Sequence, residues 1–187
     1  NLSGEDVPAV VRGAGNLEKH IENLQKFGLP IVVAVNEFPT DTPAELAAVL
    51  EICGRHGVEA AISQVFGAGG KGGVAVAEKL LALMERTPST YQPLYPLSAP
   101  LTEKVRIIAR EIYGADGVDF TAPAKKSFAE LEELGLEKMP VCMAKKPYSP
   151  SDDATKLGGR SRFRITVSDI RIPADAVVIV AMTGIML

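Results

Sequence analysis

Tryptophan is absent from this chain, and aromatic residues make up only 5% of its 187 positions. Cysteine and histidine are scarce too, with two of each. Two distant thiols form neither a disulfide framework nor a zinc-ligand pattern. Cys53 and Cys142 both lie in apolar runs and read as buried free thiols in a reducing cytoplasm. There is no basic excess: 20 Lys and Arg face 23 Asp and Glu, a net charge of -3, which argues against nucleic acid as a partner. No apolar run approaches the roughly 18 residues of a membrane-crossing helix. The polar, acidic start at Asn1–Asp6 is unlike a secretory signal, and no initiator methionine precedes it, so the sequence is expected to begin inside a longer protein.

What remains is an ordinary α/β composition, 47% hydrophobic and 23% charged. A chain of this length can bury roughly 70% of its unfolded surface in one large or two small domains. Leu17, Ile21 and Leu24 recur at helical spacing from Asn16 to Phe27, and Gly28 ends the segment. Ile31–Val35 is a continuous β-branched run, the signature of a strand covered on both faces. Thr42, Pro43 and Glu45 form a capping box with proline at the first helical position. The helix they open carries a stripe of Leu46, Val49, Leu50 and Cys53 and stops at His56-Gly57. A second strand is expected over Val58–Phe66. A further helix, with Val74, Ala77, Leu81 and Met84 on its packed face, follows. Strand, helix, strand, helix with short connections implies a parallel sheet.

Pro88, Pro93, Pro96 and Pro100 mark a linker. The expected organisation is a parallel βαβ subdomain over residues 1–97 and a second, smaller α/β subdomain with a mixed sheet over residues 98–187, with a boundary as late as 115 also admissible. In the second part, Val105, Ile108, Ala109 and Ile112 define one helix, and Ala124, Phe128, Leu131 and Leu134 another. Gly114 and Gly135 end them. Strands are expected at Val141–Ala144, Phe163–Val167 and Ala176–Met182, the middle one alternating Phe163, Ile165 and Val167 against Arg164, Thr166 and Ser168.

The stretch Gly67–Gly73 satisfies G-x-G-x-x-G at Gly67, Gly69 and Gly72, between a strand and a helix. A dinucleotide site also needs an acid about twenty positions on, at the tip of the next strand. Thr90–Leu94 supplies neither, which disfavours a dinucleotide-binding oxidoreductase. The pair Gly70-Lys71 leads to Gly72, so the hydroxyl of a mononucleotide loop is missing as well. An anion held by backbone N–H groups and Lys71, and a plain glycine turn, both fit the pattern. Phe38 and Phe66 follow the two expected strands. In a parallel sheet the carboxyl ends of neighbouring strands face one crevice, where two rings can hold a flat heterocycle or cap the core. His20 and His56 read as structural, Asp116 and Asp152-Asp153 as turn residues, and Arg160, Arg162 and Arg164 as a solvated or subunit-facing run. A non-catalytic interaction module is a further reading, since no complete catalytic set is present.

Several segments, in order, resemble the formate–tetrahydrofolate ligase family. They are Asn36-Glu37-Phe38-Pro39-Thr40-Asp41-Thr42, preceded by His20–Asn23 and Gly28–Ala34, and Ser63–Phe66 with Gly69–Gly73. Ile112–Gly117, Pro140–Lys145, Tyr148-Ser149 and Ser151–Asp153 follow. The resemblance implies an enzyme that joins formate to tetrahydrofolate with ATP and Mg2+, a monovalent cation also being associated with the family. The wording of Ser63–Phe66 and Gly69–Gly73 leans toward bacterial members, the synthetase part of a multifunctional folate enzyme being the alternative parent, and a homo-oligomer, commonly a tetramer in the family, is implied. It places a pterin between Phe38 and Phe66, with Ile62 lining the slot and Asn36 and Pro39 shaping it. Gly69, Gly70 and Lys71 become candidates for an anionic group, either a glutamate tail or a phosphate. The family's phosphate-binding loop belongs to an upstream domain, so no catalytic residue and no metal ligand is expected in this segment. This chain departs from the pattern in four places. Phe66 stands where tryptophan is usual, Gln64 where glutamate is usual, and Glu37 where a basic residue is usual; after Gly184 one residue fewer is found.

Overall fold

The computed structural model describes residues 4–144, 163–172 and 178–183, and the chain divides into two compact units, Asn1–Gln92 and Pro93–Leu187. Lys145, Tyr148-Ser149, Ser151–Asp153, Gly158–Arg160, Arg162 and the segment after Gly184 lie outside the described residues. So does the start of the strand expected from Ala176.

The first unit is built on two strands. β1 (Val32–Asn36) pairs in parallel with β2 (Glu59–Ser63), in a register that sets Val35 against Ile62 and Asn36 against Ser63. Around them lie α1 (Val7–Gly13), α2 (Gly15–Gln25), α3 (Pro43–Arg55), the short α4 (Val65–Ala68), a 3-10 turn (Gly69–Gly73) and α5 (Val74–Arg86). α3 is the crossover that parallel pairing requires. Its start is the capping box read from the sequence. The Thr42 hydroxyl accepts from the Glu45 N–H at 3.3 Å, and the Glu45 carboxylate accepts from the Thr42 N–H at 3.2 Å. The same carboxylate accepts from the Asp6 N–H at 2.9 Å, and these backbone donors hold its pKa below the usual carboxylate range. Ile21 of α2, Cys53 of α3 and Val58 form a core that Leu17, Ile31, Val33, Val49 and Ala60 complete. Gly28 ends the α2 segment at φ 67°, and a side chain there would run into Thr90.

α5 corrects an expectation. Val74, Leu81 and Met84 are exposed, whereas Val76 and Leu83 lie on the more buried side. This helix is apolar around much of its circumference, so spacing alone does not select the face that packs. The strand expected to reach Phe66 stops at Ser63. α1, α4 and a strand over Gly117–Phe120 in the second unit are elements the hydrophobic pattern did not announce.

The second unit holds a four-stranded mixed sheet, β3 (Gly117–Phe120), β5 (Arg164–Arg171), β6 (Ile179–Thr183) and β4 (Val141–Ala144), in that spatial order. The β3–β5 and β4–β6 pairs are parallel, and β5–β6 is antiparallel with an irregularity between Val167 and Asp169. α6 (Leu101–Glu111) and α7 (Ala122–Glu133) supply the rest of the core: Leu101, Val105 and Ala109 from one, Ala124, Phe128 and Leu131 from the other. Ile165 and Val167 point inward while Arg164 and Thr166 face solvent, as the alternation indicated. Leu134, placed on the α7 stripe from its spacing, is exposed because the helix has ended. Cys142 is exposed, unlike Cys53, because its β4 position turns it away from the core. The free edge of β4 is occupied by Tyr95, whose hydroxyl accepts from the Val141 N–H at 3.0 Å and donates to its carbonyl at 3.3 Å.

Among the described residues, the largest fully buried side chain is a lysine. Lys104 lies on the apolar face of α6 and donates to the carbonyls of Glu137 at 2.6 Å and Met139 at 2.9 Å. It thereby fixes the loop that leads into β4. Burial lowers its pKa, opposed in part by the Glu137 carboxylate. Lys104→Ala should destabilise the second unit by about 2–4 kcal/mol, from the cavity and two orphaned carbonyls, measured by urea unfolding. The folded lysine loses its proton at lower pH than the unfolded one, near 10.5, so between those points the unfolded state holds more protons and stability rises with pH. Lys104→Met should flatten that rise.

Candidate functional site

The parallel register carries β1 and β2 out at the same end of the sheet, and the ladder continues one step further through the Glu37 N–H to the Ser63 carbonyl at 3.0 Å. Beyond that point the chain turns sharply on both strands. After β1, the Phe38 N–H donates to the Asp41 carboxylate at 2.8 Å, and the Asp41 N–H returns to the Phe38 carbonyl at 2.9 Å. Aspartate closing a turn around Pro39 is ordinary local chemistry, and here it fixes the backbone from which the Phe38 ring leaves. After β2, Gln64 caps α4, its carbonyl accepting from Gly67 and Ala68, and Phe66 projects from that single turn.

The two rings meet. Their centroids are 5.8 Å apart with planes inclined at 46°, and both are exposed, Phe38 by 52% and Phe66 by 78%. Large apolar side chains grouped in the open are the kind of surface that marks a ligand site. They border a cavity of about 270 Å3 with Glu37, Pro39, Gln64, Gly67 and Ala68. Its polar wall is one hydrogen bond, from the Gln64 side-chain amide to the Glu37 carboxylate at 2.7 Å. Glu37 and Gln64, two of the positions where the sequence departs from the family pattern, are therefore bonded to each other.

Of the remaining candidate residues, Pro39 lines this cavity, whereas Asn36 and Ile62 do not. Ile62 is half-buried within β2 opposite Val35. Asn36 borders a second cavity of about 400 Å3, together with Asp6, Val35, Thr40, Asp41, Glu45 and Leu46. The Asn36–Asp41 segment thus has a cavity on either side, which the sequence did not indicate. The carboxylates of the second cavity are already engaged, Asp6 with the Ala9 N–H at 2.8 Å, Asp41 with Phe38 and Glu45 with Asp6 and Thr42.

Gly69, Gly70 and Lys71 lie in the 3-10 turn and are not among the residues lining the ring cavity. The turn has a packing role instead. The Gln64 N–H donates to the Gly72 carbonyl at 3.0 Å, and a β-carbon on Gly72 would collide with the Gln64 backbone. Close approach of two backbones, rather than a dinucleotide, explains a glycine here. Among the described residues, no group of three or more His, Cys, Asp or Glu could hold a metal ion, and no helix is long and apolar enough to cross a membrane.

Fold and site together define an α/β unit with paired aromatics at the carboxyl ends of parallel strands. The family model for formate–tetrahydrofolate ligase matches residues 1–187, and the chain belongs to that family. Small-molecule substrates, formate and tetrahydrofolate among them, are those the family's name carries.

Gly72→Ala should displace the 3-10 turn from Gln64 and lower the thermal midpoint of the first unit, by the equivalent of about 1–3 kcal/mol. Differential scanning calorimetry, with the unaffected second unit as internal reference, checks this.

Proposed function

We propose that this chain supplies the pterin slot of a formate–tetrahydrofolate ligase, with Phe38 and Phe66 stacking on the two faces of the heterocycle. The observation that carries the reading is the pair of exposed rings side by side at adjacent strand tips. Bare phenyl surface in water is unfavourable, and a flat ligand covering both rings removes that surface at about 25 cal/mol per Å2. Pro39, Glu37 and Gln64 form the rim around the pterin. Asn36 and Ile62 act from behind, through the strands that aim the loops. Lys71, on the turn that follows Gly67 and Ala68 of the slot, is assigned the negatively charged tail of the folate.

The slot must widen to accept its ligand. Two van der Waals contacts of about 3.5–4.0 Å separate the outer rings of a sandwich by about 7–8 Å. The centroids stand at 5.8 Å and tilted. Phe66, the more exposed ring, sits on the four-residue α4 and is the ring with room to turn.

ATP and magnesium chemistry is assigned to none of these residues. Lys71 is followed by Gly72, without the hydroxyl that coordinates magnesium in a phosphate-binding loop. The 187-residue chain is therefore expected to bind tetrahydrofolate without making 10-formyltetrahydrofolate. Production above a no-enzyme control, with formate and Mg-ATP supplied, would refute the second half of that statement.

Titration of tetrahydrofolate by calorimetry tests the slot. Phe38→Ala should weaken binding by about 1–3 kcal/mol, roughly 5- to 150-fold in Kd. An unchanged Kd in a folded variant rules the stacking out.

A further inference from the structure

Each ring is anchored next to one partner of the same hydrogen bond. Glu37 immediately precedes Phe38, and Gln64 lies two residues before Phe66 at the start of α4. The bond between them, 2.7 Å from the amide nitrogen to the carboxylate, spans the two loops at the mouth of the cavity. Both ends start from fixed backbone. The Glu37 N–H is tied to Ser63, and the Gln64 N–H to Gly72, whose missing side chain lets the turn press against Gln64. On the ring side, by contrast, neither loop has cover: Phe38, Val65 and Phe66 are all exposed. The two rings touch each other but are exposed rather than packed into a core, so the polar bridge is the element that can hold their spacing.

We propose that the Glu37–Gln64 hydrogen bond is a clamp that fixes the spacing of Phe38 and Phe66 and thereby sets which flat ligands the slot accepts. With the clamp closed, the backbones keep their separation and the slot opens only by rotation of Phe66. A single bicyclic layer is then admitted, and thicker ligands are refused. The bond works with an amide donor and a carboxylate acceptor, so a basic residue at 37 facing a glutamate at 64 would span the same gap with the polarity reversed. Glu37 and Gln64 are positioning residues in this scheme and act through the rings.

The identity of the ligand rests on the pterin reading, but the ring spacing belongs to the free chain, so the two can fail separately. The spacing is read from nuclear Overhauser cross-peaks between the Phe38 and Phe66 ring protons in the ligand-free 187-residue chain. The ligand response is read from the Kd for tetrahydrofolate. Gln64→Ala should abolish or strongly weaken the cross-peaks and raise Kd about tenfold, the scale of one hydrogen bond to a charged group. Gln64→Glu, which sets two carboxylates face to face, should do the same, and adding Glu37→Lys should restore both readouts to within about twofold, as a re-formed ion pair would. Restoration is an outcome that a merely destabilised loop does not give, and the double variant retains the test if Gln64→Ala fails to fold. Cross-peaks unchanged in Gln64→Ala and in Gln64→Glu would overturn the clamp. So would tighter binding in either variant, since the bond would then be a lock that ligand must break. If the parent chain does not bind tetrahydrofolate while the variants lose their cross-peaks, the pterin reading falls and the clamp stands.

Discussion

Parallel pairing of two short strands is the constraint on which the first unit depends. In an antiparallel hairpin the chain leaves one strand and enters the next at the same tip, so a single turn would occupy the space. Here Asn36 stands opposite Ser63, and the chain leaves both strands at one end with separate destinations, α3 and α4. Two independent loops therefore project side by side. The aspartate-closed turn at Phe38 and the one-turn helix at Phe66 are different solutions to the same problem, and they bring the two ring centroids to 5.8 Å of each other. The cavity exists because two unlike loops are brought into register by the ladder beneath them.

Much of this was legible in the residues. The capping box at Thr42 and Glu45 is a local event, complete within four residues, and needs no tertiary partner to be recognised. The β-branched run of β1 and the glycine that ends the α2 segment are equally local. The rings at the strand tips were also readable, because alternating strands and helices define which tips share a crevice. Features set by packing were not. The buried face of α5 could not be chosen among many apolar residues, since spacing ranks faces only when the others are polar. Lys104 is the sharper case. A charged residue at a core position reads as solvent-facing, and only two carbonyls from a loop more than thirty residues away make its burial tolerable.

The glycine stretch shows how one pattern serves unlike ends. Its spacing matches a phosphate-binding fingerprint, yet the contact it makes is with the backbone of Gln64. Glycine is required wherever two main chains approach closely, and a pyrophosphate is only one of the things that can be approached. What separates the two cases is the surroundings, namely the ribose-binding acid and the magnesium-binding hydroxyl, and both are missing from this sequence. The same reasoning applies to Glu37 and Gln64. Each looks like an isolated departure when the sequence is read along its length, and their relation becomes visible only across the sheet.

The segment leaving the first unit is fastened to it. The Thr90 N–H and hydroxyl reach the Gly28 carbonyl at 3.1 and 3.0 Å, the Gln92 N–H reaches that of Phe27 at 3.0 Å, and the Tyr91 and Phe27 rings lie parallel at 6.3 Å. Gly28 precedes β1, so this seam is at the foot of the strand whose opposite end holds Phe38. A pull along the connection therefore loads these bonds at the base of β1 first, at the end of the strand opposite Phe38.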